Sequence, residues 1–559
     1  MRVGPRWILA FLVAAVVLLH LFVNQRWGYH SDELYFIECG RHLAFGYVDH
    51  APMVPWLAGL ICPTGECSLF ALRFPALVAR ALAVLLTGKL VWELGGGRFA
   101  TLLAGLAMII APAFQRMGKI LCIPVMEPVL WTACALVLVY LIQGRSRKWW
   151  LALGVFAGIG LLTKHTMLIW GFAAFAGIVL TPLRRDLRTP WPWLAGLLAG
   201  LIFLPHLVWQ AQNDWATLEF LRNISEGMLA RIPRPLFVLG QLLYMHPVAI
   251  PLWVAGLVFF FGTSGVRYRI LGWIFVVSFF VLLWTHSKPY YLAPAYPALF
   301  AGGAVLLEAK LRSVASRAAM AAALVVGGLL LTPFTLPILP LPQQDDALRA
   351  VLGSIVPPEA LTHDLHGEYG WPEQAEAVAA VFAELSEEEQ KRAVVLTARY
   401  GQASAVNFFG ARYGLPRAVS GHMTYYLWGP GEVADIVIAY GFPKERLLKY
   451  FGSVVQQGRI EHPLARTLGS EGCRSTCAGI RCSRSATFGT TSRYTVTPAE
   501  TDQQNQSKQS DHGGDRPLIN HRANGACLEH TGRDRPLTVR VTHKHYAPVK
   551  LSHNEKLVP

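Results

Sequence analysis

The sequence predicts a polytopic α-helical membrane protein, about eleven transmembrane helices followed by a small C-terminal α/β extracytoplasmic domain. Three observations carry that expectation. Of the 559 residues 53% are hydrophobic and only 15% charged, well under the roughly 25% of an ordinary soluble domain. Apolar runs near the roughly 20 residues needed to cross a bilayer recur as far as about Pro337. Basic residues collect in alternate gaps between these runs. The net charge of +15, from 50 Lys plus Arg against 35 Asp plus Glu, therefore reads as membrane topology, and no nucleic-acid partner is expected.

The first run, Trp7 to Val23, follows Arg2 and Arg6, and no small-residue cleavage site separates it from Asn24-Gln25-Arg26-Trp27. It reads as a retained span with a cytoplasmic N-terminus. Further spans fall at about 70–94, 98–114, 120–142, 149–163, 166–182, 191–209, 236–261, 270–285, 289–307 and 318–337. The second is the weakest, because it holds Arg73, Arg80 and Lys89.

Threading the spans alternately tests them. One set of connections holds Arg98, then Arg145, Arg147 and Lys148, then Arg184, Arg185 and Arg188, then Arg267 and Arg269, then Lys310, Arg312 and Arg317. This is the cytoplasmic set. The opposite set holds two longer segments, about 24–69 and 210–235, with short turns near Gln115–Lys119, Thr163–His165 and Thr285–Tyr290. An odd number of spans puts the C-terminal part on that outer side too. The expected division is a transmembrane domain at 1–338, an outer domain at 339–469 and an atypical tail at 470–559.

The outer domain opens with the turn residues Pro340, Pro342, Pro357 and Pro358 and an acidic amphipathic stretch from Pro372 to Arg392. Val394–Thr397 and Ala434–Ala439 read as short buried strands, and Pro443 sits where a helix over Lys444–Phe451 would start. The tail is rich in Ser, Thr, Arg, Gln and Asn and lacks periodicity. It reads as a disordered or frameshifted stretch, too poor in apolar residues to fold. Its Cys473, Cys477, Cys482, His543 and His545 do not follow a zinc-ligand spacing. Of the nine cysteines, Cys122 and Cys134 lie inside a span as packing residues, while Cys62 and Cys67 are either a disulfide or two free thiols near the outer face.

Ionisable residues at a membrane edge are costly unless paired or used. The first outer loop carries His30-Ser31-Asp32-Glu33-Leu34-Tyr35 and Gly46-Tyr47-Val48-Asp49-His50-Ala51-Pro52. Two adjacent carboxylates there fit a helix start, where acids complement the dipole, and equally a catalytic pair. Glu127, the Lys164-His165 turn and Lys288 before Pro289-Tyr290-Tyr291 face the same side.

These segments, with Tyr290-Tyr291-Leu292-Ala293-Pro294-Ala295-Tyr296-Pro297, resemble the membrane-embedded GT-C glycosyltransferases of glycosyltransferase family 39. Within it the likeness is to bacterial proteins related to protein O-mannosyltransferases and the lipid A aminoarabinose transferase. KILCIPVMEPVLW (119–131), LLTKHTM (161–167), PHLVWQAQNDWATLEFLRN (205–223), the stretch 236–253 and NFFGARYGLPRAVSGHMTYYLW (407–428) agree with it, and the likeness ends near His462-Pro463.

The resemblance implies the GT-C fold, a bacterial inner-membrane location with the active site and C-terminal domain in the periplasm, and a sugar donor carried on polyprenyl phosphate. The sugar passes with inversion to a lipid, glycan or protein acceptor. It makes Asp32 the general base, with Glu33 orienting it or the acceptor. Tyr47, Asp49 and His50 match a segment lining the donor phosphate or a nearby metal, although His50 stands where some relatives have Lys and Ala51 replaces a proline. Glu127, Lys164, His165, Lys288, Tyr290 and Tyr291 join the donor-binding set, with Lys119 and Arg116 as reserve cations. No cofactor is assigned; a divalent metal through Asp49 stays open. A multi-pass transporter or lipid flippase is the alternative, for which internal repeats and broken helices with midplane charges are expected; the sequence shows neither clearly, Arg80 being the exception. A receptor-like membrane protein is a third.

Overall fold

The computed structural model describes residues 6–227, 232–262, 264–352, 365–431, 434, 436–460 and 476–484. The body is a helical bundle. Among the described residues, seven helices are long and apolar enough to cross a membrane: Arg6–Val23, Leu69–Glu93, Ile123–Ile142, Pro190–Gln212, Val266–Trp284, Pro289–Lys310 and Val314–Thr335. Three bent pairs, Arg98–Ile110 with Pro112–Lys119, Met167–Val179 with Pro182–Arg188, and Arg234–Tyr244 with Pro247–Phe261, bring the number to 10. The shorter apolar helix Trp149–Thr163 occupies the remaining place predicted from the sequence.

The bends have local causes. Proline at the first position of Pro112–Lys119 starts a new helix after Ala111, whose extended backbone breaks the preceding one, and the pair turns by 61°. The expected turn near Gln115–Lys119 is thus the end of a short helix, with Lys119 buried. At 236–261 the break falls at His246, which has φ of 74° and whose side chain accepts the Val248 N–H.

Small residues set close helix contacts. A Cβ on Gly154 would meet the Ala195 carbonyl oxygen at 2.5 Å, which brings Trp149–Thr163 against Pro190–Gln212. Gly196 and Gly200, the other small pair in the sequence, meet nothing within 4 Å and face outward. The weak second span buries two of its three charges, Arg73 at 0% and Arg80 at 2% exposure, while Lys89 is exposed. Arg80 donates to the Met108 carbonyl at 2.9 Å.

At the end assigned to the outside, the first loop folds into the helices Ser31–Arg41 and Met53–Ile61. Cys62 and Cys67 form a disulfide there, as an oxidising compartment permits. Gly46 lets the loop lie against the seventh span, since a Cβ would meet the Trp209 ring at 2.4 Å and His206 Nδ1 at 2.9 Å.

The outer domain is α/β. Its sheet has the order β2-β1-β3-β5-β4, with β1 Ala393–Thr397, β2 Ala418–Ser420, β3 Ile436–Tyr440, β4 Phe451–Ile460 and β5 Thr476–Arg484. β1 runs parallel to β2 and β3, and β5 lies antiparallel to β3 and β4. Helix Tyr400–Phe409 connects β1 to β2, and helix Trp371–Ala383 packs beside it. The central strands bury Val395 and Ile438 completely.

Two expectations change here. The helix after Pro443 is only Lys444–Leu447 and Phe451 already begins β4, whose residues include Val454 and Val455, β-branched residues that favour strand. The sheet also takes its fifth strand from 476–484, inside the segment assigned to the tail. The rest of that tail, including Cys473, His543 and His545, lies outside the described residues.

Denatured without reductant and alkylated, the protein is expected to carry label at Cys39, Cys122 and Cys134 and none at Cys62 or Cys67. Peptide mass spectrometry locates each site, and label on Cys62 before reduction contradicts the pairing.

Candidate functional site

The first turn of helix Ser31–Arg41 separates the two adjacent carboxylates. His30 caps it: its Nδ1 accepts the Asp32 N–H at 3.2 Å while the Glu33 carboxylate accepts the His30 N–H at 2.9 Å. Glu33 is therefore turned inward. Arg73 donates to it twice, Nε to Oε1 at 2.8 Å and Nη2 to Oε2 at 2.7 Å, and the Leu121 N–H adds a third donor at 3.0 Å. Burial pushes the Glu33 carboxyl up, but the Arg73 charge and these hydrogen bonds outweigh it and hold it below its ordinary 4.5.

The same arginine gathers distant backbone. It donates to the carbonyls of Asn24 at 2.8 Å and Gly28 at 2.9 Å and lies 3.4 Å from Glu368 Oε2. Glu368 pairs in turn with Lys119, whose ammonium sits 4.3 Å over the Trp27 ring. Lys119 is thus engaged in an ion pair and sealed, which removes it as a reserve cation for a ligand.

Asp32 faces the other way. Its side chain is 39% exposed, against 0% for Glu33, 3% for Glu38 and 16% for Asp49 in the same loop. Tyr400, the first residue of helix Tyr400–Phe409, donates to Asp32 Oδ1 at 2.6 Å. Beside it the Tyr35 hydroxyl lies 2.8 Å from Asp49 Oδ1 and 2.6 Å from Thr424 Oγ1, and the Thr424 hydroxyl accepts the Val48 N–H at 3.1 Å. Burial, only partly offset by His50 and Tyr35, raises the Asp49 carboxyl above its ordinary value.

The rest of the segment from Tyr47 to His50 is interior. Tyr47 is 0% exposed and donates to the Cys39 carbonyl at 2.9 Å. His50 is 2% exposed, ringed by Tyr35, Phe36 and Tyr47; its Nδ1 meets the Ala51 carbonyl at 3.0 Å and its Nε2 lies 3.8 Å from Asp49. Asp49 has no companion ligands: among the described residues no three His, Cys, Asp or Glu side chains converge as a metal site would require.

A second cluster assembles the remaining predicted residues. Lys164 pairs with Glu127 at 3.0 Å and stands 3.9 Å over the Tyr291 ring and 5.7 Å from that of Tyr290. Thr166 donates its hydroxyl to the other Glu127 oxygen. His165 Nε2 meets His206 Nε2 at 3.0 Å, and His206 Nδ1 donates to the Phe45 carbonyl at 2.8 Å. That order makes His165 the donor of the pair. Burial, with His206 next, lowers His165 to about 4, so it is an uncharged imidazole at neutral pH. Lys288 is half-buried just before Tyr290-Tyr291.

The arrangement offers a partly exposed carboxylate held by a phenol and an ammonium paired with Glu127 in an aromatic setting. Sequence reasoning missed Arg73 as a partner, along with Tyr400, Thr424, His206 and Glu368. Arg73 carried a signal as a charge inside a span, and His206 and Thr424 lie in the segments 205–223 and 407–428 that agree with the family.

Residues 49–209 match the family model described as dolichyl-phosphate-mannose-protein mannosyltransferase. The stretch contains Asp49, His50, Glu127, Lys164 and His165, while Asp32, Glu33, Lys288, Tyr290 and Tyr291 lie outside it. Among solved structures, ArnT from Cupriavidus metallidurans bound to undecaprenyl phosphate is similar with a TM-score of 0.55 at 15% identity, over 87% of this chain and 99% of that one. The apo form of the same protein gives 0.50 at 15% identity, over 78% and 94%. No curated protein matches the sequence significantly.

Arg73→Leu leaves Glu33 buried without its counter-charge, a change costing about 3–5 kcal/mol; a large drop in melting temperature in detergent is expected. Because the Glu33 carboxyl is held below 4.5, its stabilisation is present above that pH and lost as pH falls through the depressed value. Glu33→Gln is expected to flatten this acid limb of the melting-temperature profile; an unchanged limb contradicts the assignment.

Proposed function

From a membrane chain of the GT-C fold, family 39-like in sequence, we propose a glycosyltransferase that moves a sugar from a polyprenyl-phosphate donor to an acceptor hydroxyl on the outer face of the bacterial inner membrane. Asp32 is the general base. The observation that carries this reading is the split of the adjacent carboxylates: Glu33 is consumed by Arg73, while the Asp32 side chain stays 39% exposed.

The chemistry needs one base and positive charge, and the site supplies both. The acceptor oxygen attacks the anomeric carbon from the face opposite the phosphate, and its proton passes to Asp32. The bond from the anomeric carbon to the phosphate oxygen breaks, and its electron pair leaves on the polyprenyl phosphate. One displacement inverts the centre. Phosphate is already a good leaving group, so cations that stabilise its developing charge suffice. A second carboxylic acid, as glycosidases use, is unnecessary.

Lys164 suits the phosphate role because Glu127 and Tyr291 hold it without burying it fully; its side chain is 14% exposed. Lys288 supplies a second cation at the rim. Tyr290 and Tyr291 give Lys164 an aromatic wall. Asp49, His50, Tyr47 and His165 support the site from within; their burial suits them to shape the loop around Asp32. ArnT, the similar structure, is described as bound to undecaprenyl phosphate, which supports a polyprenyl carrier here.

Membranes holding the natural protein are expected to transfer label from a panel of radiolabelled undecaprenyl-phosphate sugars, and Asp32→Asn at matched expression is expected to lose at least about 10²-fold of that rate. Transfer unaffected by the substitution would sink the assignment of the base. Lys164→Met is expected to raise the donor KM by about tenfold, the loss of one charge-assisted contact. An unchanged KM would take Lys164 out of the phosphate site.

A further inference from the structure

We infer that the outer domain supplies a positioning residue for the base: Tyr400 holds Asp32 by Oδ1, leaving Oδ2 as the oxygen that takes the acceptor proton. This rests on the reading of Asp32 as base and extends it to a part of the chain outside the bundle. Both hydrogen-bond donors to the Asp32 side chain fall on Oδ1, Tyr400 at 2.6 Å and the Ser31 hydroxyl at 3.5 Å. His30 Nδ1 lies 3.9 Å from Oδ2, and that nitrogen already accepts the Asp32 N–H, so it has no proton to offer. Among the described residues, Oδ1 is therefore held and Oδ2 accepts no hydrogen bond.

Tyr400 is built to stay in place. Its ring lies 4.6 Å from that of Tyr35, and the His422 imidazole stacks on it at 5.3 Å with an interplanar angle of 14°. Behind it, Gly401 lets the helix start sit directly on the loop, since a Cβ there would meet Ser31 Cβ at 3.0 Å. Burial, then Asp32 and Asp49, push the Tyr400 phenol well above its ordinary range. It remains a proton donor across the working pH and cannot compete for the acceptor's proton.

The charged and titratable groups around Asp32 are His30, 3.9 Å from Oδ2, Glu33, which is neutralised by Arg73, and Asp49 on the same loop. On the outer-domain side Arg399 lies behind Tyr400. His422, lowered to about 4 by burial and Arg399, is neutral at working pH, as is the Tyr35 phenol, which burial raises. None of these is altered when the Tyr400 hydroxyl alone is removed. A donor to a carboxylate favours its ionised form, so Tyr400→Phe is expected to raise the proton affinity of Asp32.

The test is a pH titration of the Asp32 carboxylate stretch by infrared difference spectroscopy, in lipid nanodiscs, against Asp32→Asn as the blank. The Phe ring preserves the stacking on Tyr35 and His422, so folding is expected to survive, with melting temperature as the control. The midpoint is expected to rise by about one pH unit, the size of one hydrogen bond to a charged group. Where Tyr400→Phe does not fold, 3-fluorotyrosine at position 400 reads the opposite sign: a more acidic phenol is a stronger donor and lowers the midpoint. An unmoved midpoint in a folded variant overturns the inference and leaves the base assignment standing. Transfer activity retained by Asp32→Asn overturns the base itself, whatever the titration shows.

Discussion

The geometry of the first outer loop depends on one buried ion pair. Arg73 sits in the second span with no exposed surface and binds Glu33 through two parallel hydrogen bonds. Two charges in such a place are worth little as a net source of stability, because desolvation consumes most of their attraction. Their value is geometric. The guanidinium fork also reaches the carbonyls of Asn24 and Gly28 and the carboxylate of Glu368, so one side chain ties the end of the first span, the start of the first outer loop and the outer domain. Removing it would leave the carbonyls of Asn24 and Gly28 without this donor and take the counter-charge from Glu33.

That constraint explains why two neighbouring acids have opposite fates. The capping arrangement of His30 assigns Glu33 to the third position of the helix, and the helix geometry then directs it toward Arg73. Asp32, one residue earlier, projects on another face and meets Tyr400. The bland reading of the pair as a helix start describes Glu33, and the chemical reading suits Asp32. Both were visible in the residue pattern, and only the direction of each side chain separates them.

The bundle was legible in the sequence because apolar length and charge bias act locally, span by span. The helix breaks were not placed: 98–114, 166–182 and 236–261 read as single spans, and the bends before Pro112, Pro182 and Pro247 emerge only in the structure. The outer domain was less legible. Its third parallel strand and its helix between β1 and β2 are short, and β5 lies in a stretch whose composition is polar. In the site, Asp32, Glu127, Lys164, Tyr290 and Tyr291 could be singled out, as charges or aromatics at a membrane edge. Tyr400 and Thr424 could not, because they gain meaning only from a contact across most of the chain. Tyr47 and His50 were given ligand-lining roles through the family resemblance; the structure buries both, a tyrosine with a backbone acceptor and an imidazole among aromatic rings, in the core of the loop.

The contact between Tyr400 and Asp32 spans 368 residues, and that between Tyr35 and Thr424 spans 389. A chain made from its N-terminus inserts its spans and exposes the first loop long before either partner is synthesised. During that interval the loop carries its carboxylate without the phenol that holds it. Biosynthesis thus imposes an order on assembly: the spans can be in the membrane while the arrangement around Asp32 is still incomplete, and the outer domain, made after them, completes it.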